Sequence, residues 1–350
     1  MRICYLANAQ SVHTQKWVQS FVQRGHNVHV ISFEDAAIQG ATVHVIRLPL
    51  LVRNASFAFK LAAVRLIKRL LKKIQPDILH AHYVTNYGLF AALSGFHPFV
   101  LTAWGSDLKA ATESKLISKI KKPLATYALR KADLITTDAE HMKQTITRYG
   151  VDAEKVKIIC FGIDTNLFKP NGDKPAKPTV ISMRSLERKY NLETLLEAVK
   201  QIEDAHLIVV GDGSQRNSLI AHAQGLGLSG RATFLGQIPN RMLPSWLCRS
   251  SVYVSTSLSD AGISASTAEA MACELPVIVS DVGENNQWVE PNCLFPPRNS
   301  QVLANKIVYF LAHEHVSRRM GRNNRRTIIE RNNIHAEMEK MEQLYEWLIQ

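Results

Sequence analysis

Two cations five residues apart, Arg184 and Lys189, sit in Ser182-Met-Arg-Ser-Leu-Glu-Arg-Lys-Tyr190, directly after an apolar, β-rich run. Such a loop pair can close on a pyrophosphate, the guanidinium as a planar fork and the ammonium as a compact charge. Alone, the same residues also fit a solvated basic loop. Context comes from Ser257 to Asp281, where Asp260, Gly262, Ile263, Ser264, Ala265 and Ser266 form a small, hydroxyl-rich stretch running into a helix. Free first-turn amides and the helix dipole favour an anion there by roughly 0.3 to 2 kcal/mol without a metal. Glu269, early in that helix, can accept hydrogen bonds from ribose hydroxyls as an acidic residue does in dinucleotide sites, or simply be a favourable first-turn charge. Two glycine turns, Gly211-Asp-Gly213 and Phe234-Leu-Gly236 followed by Gln237 and Ile238, close two more apolar runs. Each lets backbone approach a ligand, a nucleobase in the second case, or makes a tight structural turn.

These residues need strands to carry them. In the first half, β-rich runs fall near Arg2 to Ala7, Asn27 to Ser32, Thr42 to Arg47, Asp77 to Ala81, Pro98 to Ala103, Asp133 to Thr137 and Val156 to Ile159. A second series covers Thr179 to Met183, His206 to Val210, Ala232 to Leu235, Val252 to Ser255 and Pro276 to Ser280. Helical-period stretches separate most of them, which predicts α/β architecture with parallel, doubly wound sheets. The polar, proline-bearing Lys169 to Pro178 reads as a linker, so the expected domains are 1–170, 171–330 and a terminal helix over 331–350. Two Rossmann-like domains facing across a cleft, with ligands at the carboxyl ends of the strands, is the simplest arrangement. From Ser300 onward the pattern is helical.

Composition narrows the partners. The formal net charge is +12, and residues 1–170 hold 23 Lys+Arg against 11 Asp+Glu while 171–350 hold 19 of each. The excess in the first half points to an anionic partner. Arg53 to Lys73 carries seven cations and no acid, with Phe57, Leu61, Val64, Ile67, Leu71 and Ile74 at helical spacing, and Lys109 to Lys131 carries seven cations against Glu113. A shared basic face of this kind suits an anionic membrane surface or an anionic acceptor, unless the apolar side packs on the sheet and the cations are merely solvated. Nucleic acid is not expected, because no recognition motif appears and no aromatics alternate with the cations. The five scattered cysteines read as reduced, buried thiols, with no metal-ligand spacing. Met1 to Ala7 is too short for a secretory h-region, and no uncharged run approaches the roughly eighteen residues that span a bilayer. A cytoplasmic protein, peripheral on the inner face of the membrane, is expected.

Arg184 with Lys189, Gly211-Asp-Gly213, Phe234-Leu-Gly236 and Ala268-Glu-Ala-Met-Ala-Cys-Glu-Leu-Pro-Val-Ile-Val-Ser-Asp281 resemble, in order and spacing, the group 1 glycosyltransferases of family GT4. Gly162-Ile-Asp164 with Phe168 and Pro170, Arg24-Gly-His26 and Thr102-Ala-Trp-Gly-Ser-Asp107 extend the resemblance over nearly the whole chain. It implies a GT-B fold, a nucleotide-diphospho-sugar held by the second domain, a glycan or lipid-linked acceptor held by the first, and retention of anomeric configuration without metal or other cofactor. By position, Arg184 and Lys189 would neutralise the leaving diphosphate, Glu269 would bind ribose, and the amides of Ile263 to Ser266 would meet phosphate or sugar. Ser11, His13, His82, Trp104 and Asp107 would lie on the acceptor or sugar side.

Two positions depart from the family pattern. Ala261 stands where an acidic residue contacts sugar hydroxyls, with Asp260 one residue off register. Trp104 stands where a histidine is usual, so His13, His80 or His82 would have to substitute. The expected role is transfer of a sugar in cell-surface polysaccharide biosynthesis. A GT-B epimerase or hydrolase of nucleotide sugars is the enzymatic alternative, and a basic nucleic-acid-binding protein the non-enzymatic one.

Overall fold

The computed structural model describes residues 1–47, 56–104, 108, 115–172, 177–260 and 262–350, with the side chains of 56–60 and 115–121 set aside. The chain divides into two compact units, Met1–Phe161 with His335–Gln350, and Gly162–Ile334.

The first unit is a seven-stranded sheet with the order β3-β2-β1-β4-β5-β6-β7. Its strands are β1 (Arg2–Leu6), β2 (Asn27–Ser32), β3 (Thr42–Val45), β4 (Ile78–His82), β5 (Phe99–Ala103), β6 (Leu134–Thr137) and β7 (Val156–Ile158), all paired in parallel. Central β4 and β5 are buried at every position. That is why they read as continuous apolar runs: helices cover both faces of a parallel sheet. The helices are α1 (Val12–Gln23), α2 (Ser56–Ile74), α3 (Leu89–Ser94), α4 (Lys115–Lys131) and α5 (Glu140–Thr147), with a π-helical turn at Val84–Gly88. Helix α2 turns Ala63, Ile67, Leu71 and Ile74 inward, while Leu61, expected on the apolar face, is 44% exposed. Phe57 lies outside the described side chains.

The second unit holds six parallel strands in the order β10-β9-β8-β11-β12-β13. They are β8 (Thr179–Met183), β9 (His206–Val210), β10 (Ala232–Gly236), β11 (Val252–Ser255), β12 (Val277–Ser280) and β13 (Leu294–Phe295). Between and after them run α6 (Leu192–Lys200), α7 (Arg216–Gly225), α8 (Leu243–Cys248), α9 (Ala265–Ala272), α10 (Ser300–Ala312) and α11 (Glu314–Arg331). Helix α9 is buried from Thr267 to Ala272, since α11 packs on it from one side and the sheet from the other. On α11, a Cβ at Gly321 would fall 1.9 Å from the Glu274 carbonyl oxygen.

The chain enters the second unit at Gly162 and is tied at once to the end of α11. The Gly162 amide donates to Asn332 Oδ1 (2.9 Å), the Ile163 amide to the Asn332 carbonyl (2.7 Å), and Arg325 donates to the carbonyls of Phe168 and Thr165. Of the linker stretch, residues 173–176 lie outside the described set.

The helical pattern after Ser300 is interrupted at His313 and at Asn332–Asn333, giving α10, α11 and a last helix α12 (Ile334–Ile349). Within the first unit α12 buries Met338, Met341 and Tyr345 completely. Each such side chain contributes roughly 1.5 to 3 kcal/mol. Tyr345 pairs with the Tyr5 hydroxyl (3.2 Å) and His80 Nδ1, and Glu342 accepts from Arg24 (2.8 Å).

Candidate active site

In the second unit the strand order reverses between β8 and β11, and a doubly wound sheet offers its ligand crevice outside the carboxyl ends at such a point. Arg184 directly follows β8 there. Its Nη2 donates to Asp260 Oδ1 at 2.6 Å, and both side chains are largely withdrawn from solvent. Burial opposes the guanidinium's charge, but Asp260, with Tyr253 and Tyr190 behind it, more than offsets this, and the Arg184 pKa is raised. The cation is fixed at any working pH. Asp260 thus enters the site beside Arg184, one residue from the position where the family resemblance places an acid. Ala261 lies outside the described residues.

Tyr190 joins the two expected cations. Its ring centroid lies 4.3 Å from the Arg184 guanidinium carbon and 4.8 Å from Lys189 Nζ, within range of cation–π attraction to both. The 188–190 turn is pinned to the loop after β11, where Leu258 N donates to the Lys189 carbonyl and Thr256 Oγ1 to the Tyr190 carbonyl, each at 2.8 Å. Glu187 caps the neighbouring turn by accepting from the amide and hydroxyl of Ser214.

Gly211 and Gly213 lie against this loop. A Cβ on Gly211 would fall 2.1 Å from the Arg184 carbonyl oxygen, and one on Gly213 2.5 Å from that of Leu186. The backbone of 184–186 therefore demands both glycines. Gly211 N donates to the Gly236 carbonyl at 2.8 Å, which joins the end of β10 to the same group of loops. Beyond it, Gln237 is exposed and Ile238 half-buried.

Helix α9 starts beside these loops in sequence and strand order. Ser264 is its N-cap, accepting from the Thr267 amide at 3.2 Å, while its carbonyl takes the Ala268 amide. The amides of Ala265 and Ser266 belong to the first turn, which cannot be satisfied within a helix. Gly262 and Ile263 are buried, and Ser264, Ala265 and Ser266 half-buried. Ser266 Oγ is held 2.8 Å from the hydroxyl of buried Tyr253. Glu269 is 4% exposed and accepts from Asn240 Nδ2 at 3.0 Å. Sequence reading missed Tyr190, Asn240 and Tyr253, whose roles depend on ring and amide placement that spacing does not report.

In the first unit, Trp104 stacks on His13 with centroids 5.2 Å apart and meets Trp17 and His82 edge-on. His13 and Trp104 are half-buried. His82 is fully buried, its Nδ1 3.3 Å from Thr14 Oγ1 and its Nε2 without a partner. His80 is also fully buried and satisfied at both nitrogens, by Tyr345 and by Thr102 Oγ1. Burial, and then the neighbouring His13, push the His82 pKa down to about 3, while burial and Lys16 take His13 to about 4. Both rings are neutral near pH 7. Of the three histidines weighed as sugar contacts, only His13 is partly exposed. Asp107 lies outside the described residues. Ser11 lines a polar cavity together with Glu34, Tyr83 and Tyr87, residues that sequence reading did not single out.

Residues 2–139 match the family model described as glycosyl transferase 4-like, and residues 164–327 that of glycosyl transferases group 1. Among characterised proteins, the UDP-Gal:alpha-D-GlcNAc-diphosphoundecaprenol alpha-1,3-galactosyltransferase of Escherichia coli is 28% identical over 329 residues, covering 87% of this chain and 84% of its own. The O-antigen chain mannosyltransferase C of Escherichia coli is 25% identical, with 88% and 86% covered. Among solved structures, Anabaena HepE in complex with UDP-glucose superposes with a TM-score of 0.83 at 20% identity, covering 99% of this chain and all of that one. Sucrose-phosphate synthase from Thermosynechococcus elongatus gives 0.83 at 22% identity, with 99% of both chains covered.

Proposed function

The chain belongs to the group 1 glycosyltransferases and has the GT-B fold, and from that premise we propose that it moves a sugar from a nucleotide-diphospho-sugar to a glycan or lipid-linked acceptor in cell-surface polysaccharide biosynthesis. The second unit binds the donor and the first binds the acceptor. The observation that carries this is the buried Arg184–Asp260 pair at the β8/β11 switch point, with Lys189 held nearby on the same Tyr190 ring.

Cleavage of a sugar–phosphate bond places growing negative charge on the departing diphosphate and oxocarbenium character on the sugar. Fixed cations and amides stabilise that charge without reorganising at the moment of reaction. Arg184, Lys189 and the first-turn amides of α9 supply such groups, so the diphosphate can leave without a metal ion. Glu269, buried and oriented by Asn240, accepts the ribose hydroxyls. Transfer proceeds with retention, the leaving phosphate itself accepting the acceptor's proton on the same face. No strong protein base and no carboxylate pair is then required. Two of the similar proteins carry such names: the Escherichia coli galactosyltransferase is named for a UDP-Gal donor and a diphosphoundecaprenol-linked acceptor, and a Mycobacterium tuberculosis relative, 23% identical, for GDP-mannose and a phosphatidylinositol mannoside.

A peripheral place on the inner membrane face fits the surface of α2, where Arg65, Lys68, Arg69, Lys72 and Lys73 are all exposed. Each is worth about 1 kcal/mol near an anionic leaflet before salt screening. Among the described residues no helix is long and apolar enough to cross a membrane. Thermal-shift screening against UDP-, GDP-, dTDP- and ADP-sugars tests the donor claim. Stabilisation by one nucleotide series is expected, and none by any would refute it.

A further inference from the structure

The first unit contains a cavity of about 360 Å³ lined by Asn8, Ser11, Glu34, Tyr83, Thr85 and Asn86, with Tyr87 behind Glu34. It opens at the carboxyl ends of β1, β2 and β4, and the strand order of this sheet reverses between β1 and β4. A ligand crevice is expected at that point of a doubly wound sheet.

Glu34 is built into the cavity. Its Oε2 accepts from the Tyr87 hydroxyl and from Ser32 Oγ at 3.3 Å, and Ser32 Oγ in turn accepts from the amides of Ala9 (3.1 Å) and Glu34 (3.0 Å). Tyr87 is 2% exposed, and burial, then the Glu34 hydrogen bond, raise its pKa, so it stays a neutral donor. With Oε2 engaged, Oε1 has no partner among the described residues. Asn8 Oδ1 is occupied by the Gln10 amide at 2.7 Å, which leaves its Nδ2 as a donor.

Tyr83 is placed by backbone strain. It takes φ of 70°, a conformation that costs a bulky residue about 1 to 3 kcal/mol. Two hydrogen bonds hold it, from its own amide to the Thr102 carbonyl (3.0 Å) and from the Gly88 amide to its carbonyl (2.8 Å). Gly88 has no room for a side chain, since a Cβ would lie 2.6 Å from Leu101 Cδ1 and 2.8 Å from the Tyr83 carbonyl oxygen. The backbone that brings the aromatic side chain of Tyr83 into the cavity lining, next to a carboxylate, amides and hydroxyls, is thereby fixed. None of the lining residues is Lys, Arg or His.

We propose that this cavity binds an uncharged pyranose of the acceptor, with Glu34 Oε1 accepting a ring hydroxyl and the Tyr83 ring covering an apolar face of the sugar. A phosphate finds no cation here and meets a carboxylate, so the hydroxyl pattern, and not an anionic group, is read at this place. Although the first unit as a whole is basic, its selectivity for the reacting sugar is set by an acid. The proposal rests on the reading that the first unit holds the acceptor.

Saturation-transfer NMR on the full chain tests it, with the methyl pyranosides of glucose, galactose, mannose and N-acetylglucosamine as probes and inorganic phosphate followed in parallel by its ³¹P linewidth. At least one pyranoside is expected to show transfer that falls at least fivefold in Glu34→Gln and persists in Arg184→Ala, with phosphate unaffected by Glu34→Gln. Thr85→Val, which removes a different polar group from the same lining, gives a second loss should Glu34→Gln fail to fold. The absence of transfer to any pyranoside, transfer unchanged in both cavity variants, or loss only in Arg184→Ala would each overturn it. Nucleoside-diphosphate stabilisation of the wild-type protein is read separately: its absence would refute the donor reading and leave the pyranoside result standing.

Discussion

Arg184 Nη2 lies 2.6 Å from Asp260 Oδ1, and the two side chains are only 7% and 11% exposed. Removing one member of a buried ion pair leaves the other charged and uncompensated, at a cost of about 3 to 5 kcal/mol. Asp260→Ala is therefore expected to lower stability by an amount of that order in urea unfolding. It should also weaken nucleoside-diphosphate binding, because Arg184 loses its fixed direction. A variant as stable as wild type with unchanged nucleotide affinity would contradict the pairing.

Tyr190 touches both cations with one ring. Cation–π attraction is worth roughly 0.5 to 2 kcal/mol, so Tyr190→Leu should raise the nucleoside-diphosphate Kd by about 2- to 30-fold. Tyr190→Phe keeps the ring and should stay near wild type. Equal losses in both variants, measured by calorimetry, would show that the hydroxyl and not the ring matters.

At Gly211 the backbone takes φ of 133°, and a Cβ would meet the Arg184 carbonyl oxygen at 2.1 Å. Gly211→Ala must push the Arg184 loop away. Donor turnover should fall much more than the far-ultraviolet circular dichroism changes, whereas Gly225→Ala, with open space at its Cβ, should leave turnover intact.

Two buried histidines, His80 and His82, meet the Trp17 ring, and half-buried His13 stacks on Trp104 beside them. His13 titrates near 4, His82 near 3, and His80 well below its ordinary value, all chiefly through burial. Because the unfolded chain binds these protons near pH 6.5 and the folded chain does not, their contribution is fully present above pH 6.5. It is lost as pH falls toward 4 and 3, with a slope of at most about 1.4 kcal/mol per pH unit for each group. Unfolding free energy measured from pH 7 down to 4 should fall, and His82→Gln should flatten the slope. An unchanged slope in that variant would show that His82 does not contribute to the pH dependence.

Most strands were legible because both faces of a parallel sheet are buried, so β4, β5, β8 and β11 appear as apolar runs. Two-residue β13 was not, being too short to show a pattern. The C-terminal helical run hid its breaks because neither His313 nor Asn332 is a helix breaker by type. At Asn332 the break follows from tertiary contact, as its carbonyl and side chain hold the amides of Ile163 and Gly162. In the site, Arg184 and Glu269 could be named from motif and spacing. Asp260 could also be named, one residue off register, but not its pairing with Arg184, and Asn240 not at all: the partners lie 76 and 29 residues away in sequence, and only the fold brings each pair together. Glycines 211 and 213 could be assigned to ligand approach or to tight turns, and the backbone of Arg184 and Leu186 supplies the physical reason for the second.

On the proposed function, a nucleoside diphosphate binds the second unit between Arg184 and Glu269. Isothermal titration of the nucleoside diphosphate selected by the thermal screen, in EDTA, into wild type, Arg184→Ala and Glu269→Ala tests it most directly. Binding by the wild type without metal is expected, weakened at least tenfold in each variant, with Arg184→Ala also losing sensitivity to the number of phosphates. Equal affinity in all three proteins, or binding that requires a divalent cation, would contradict it.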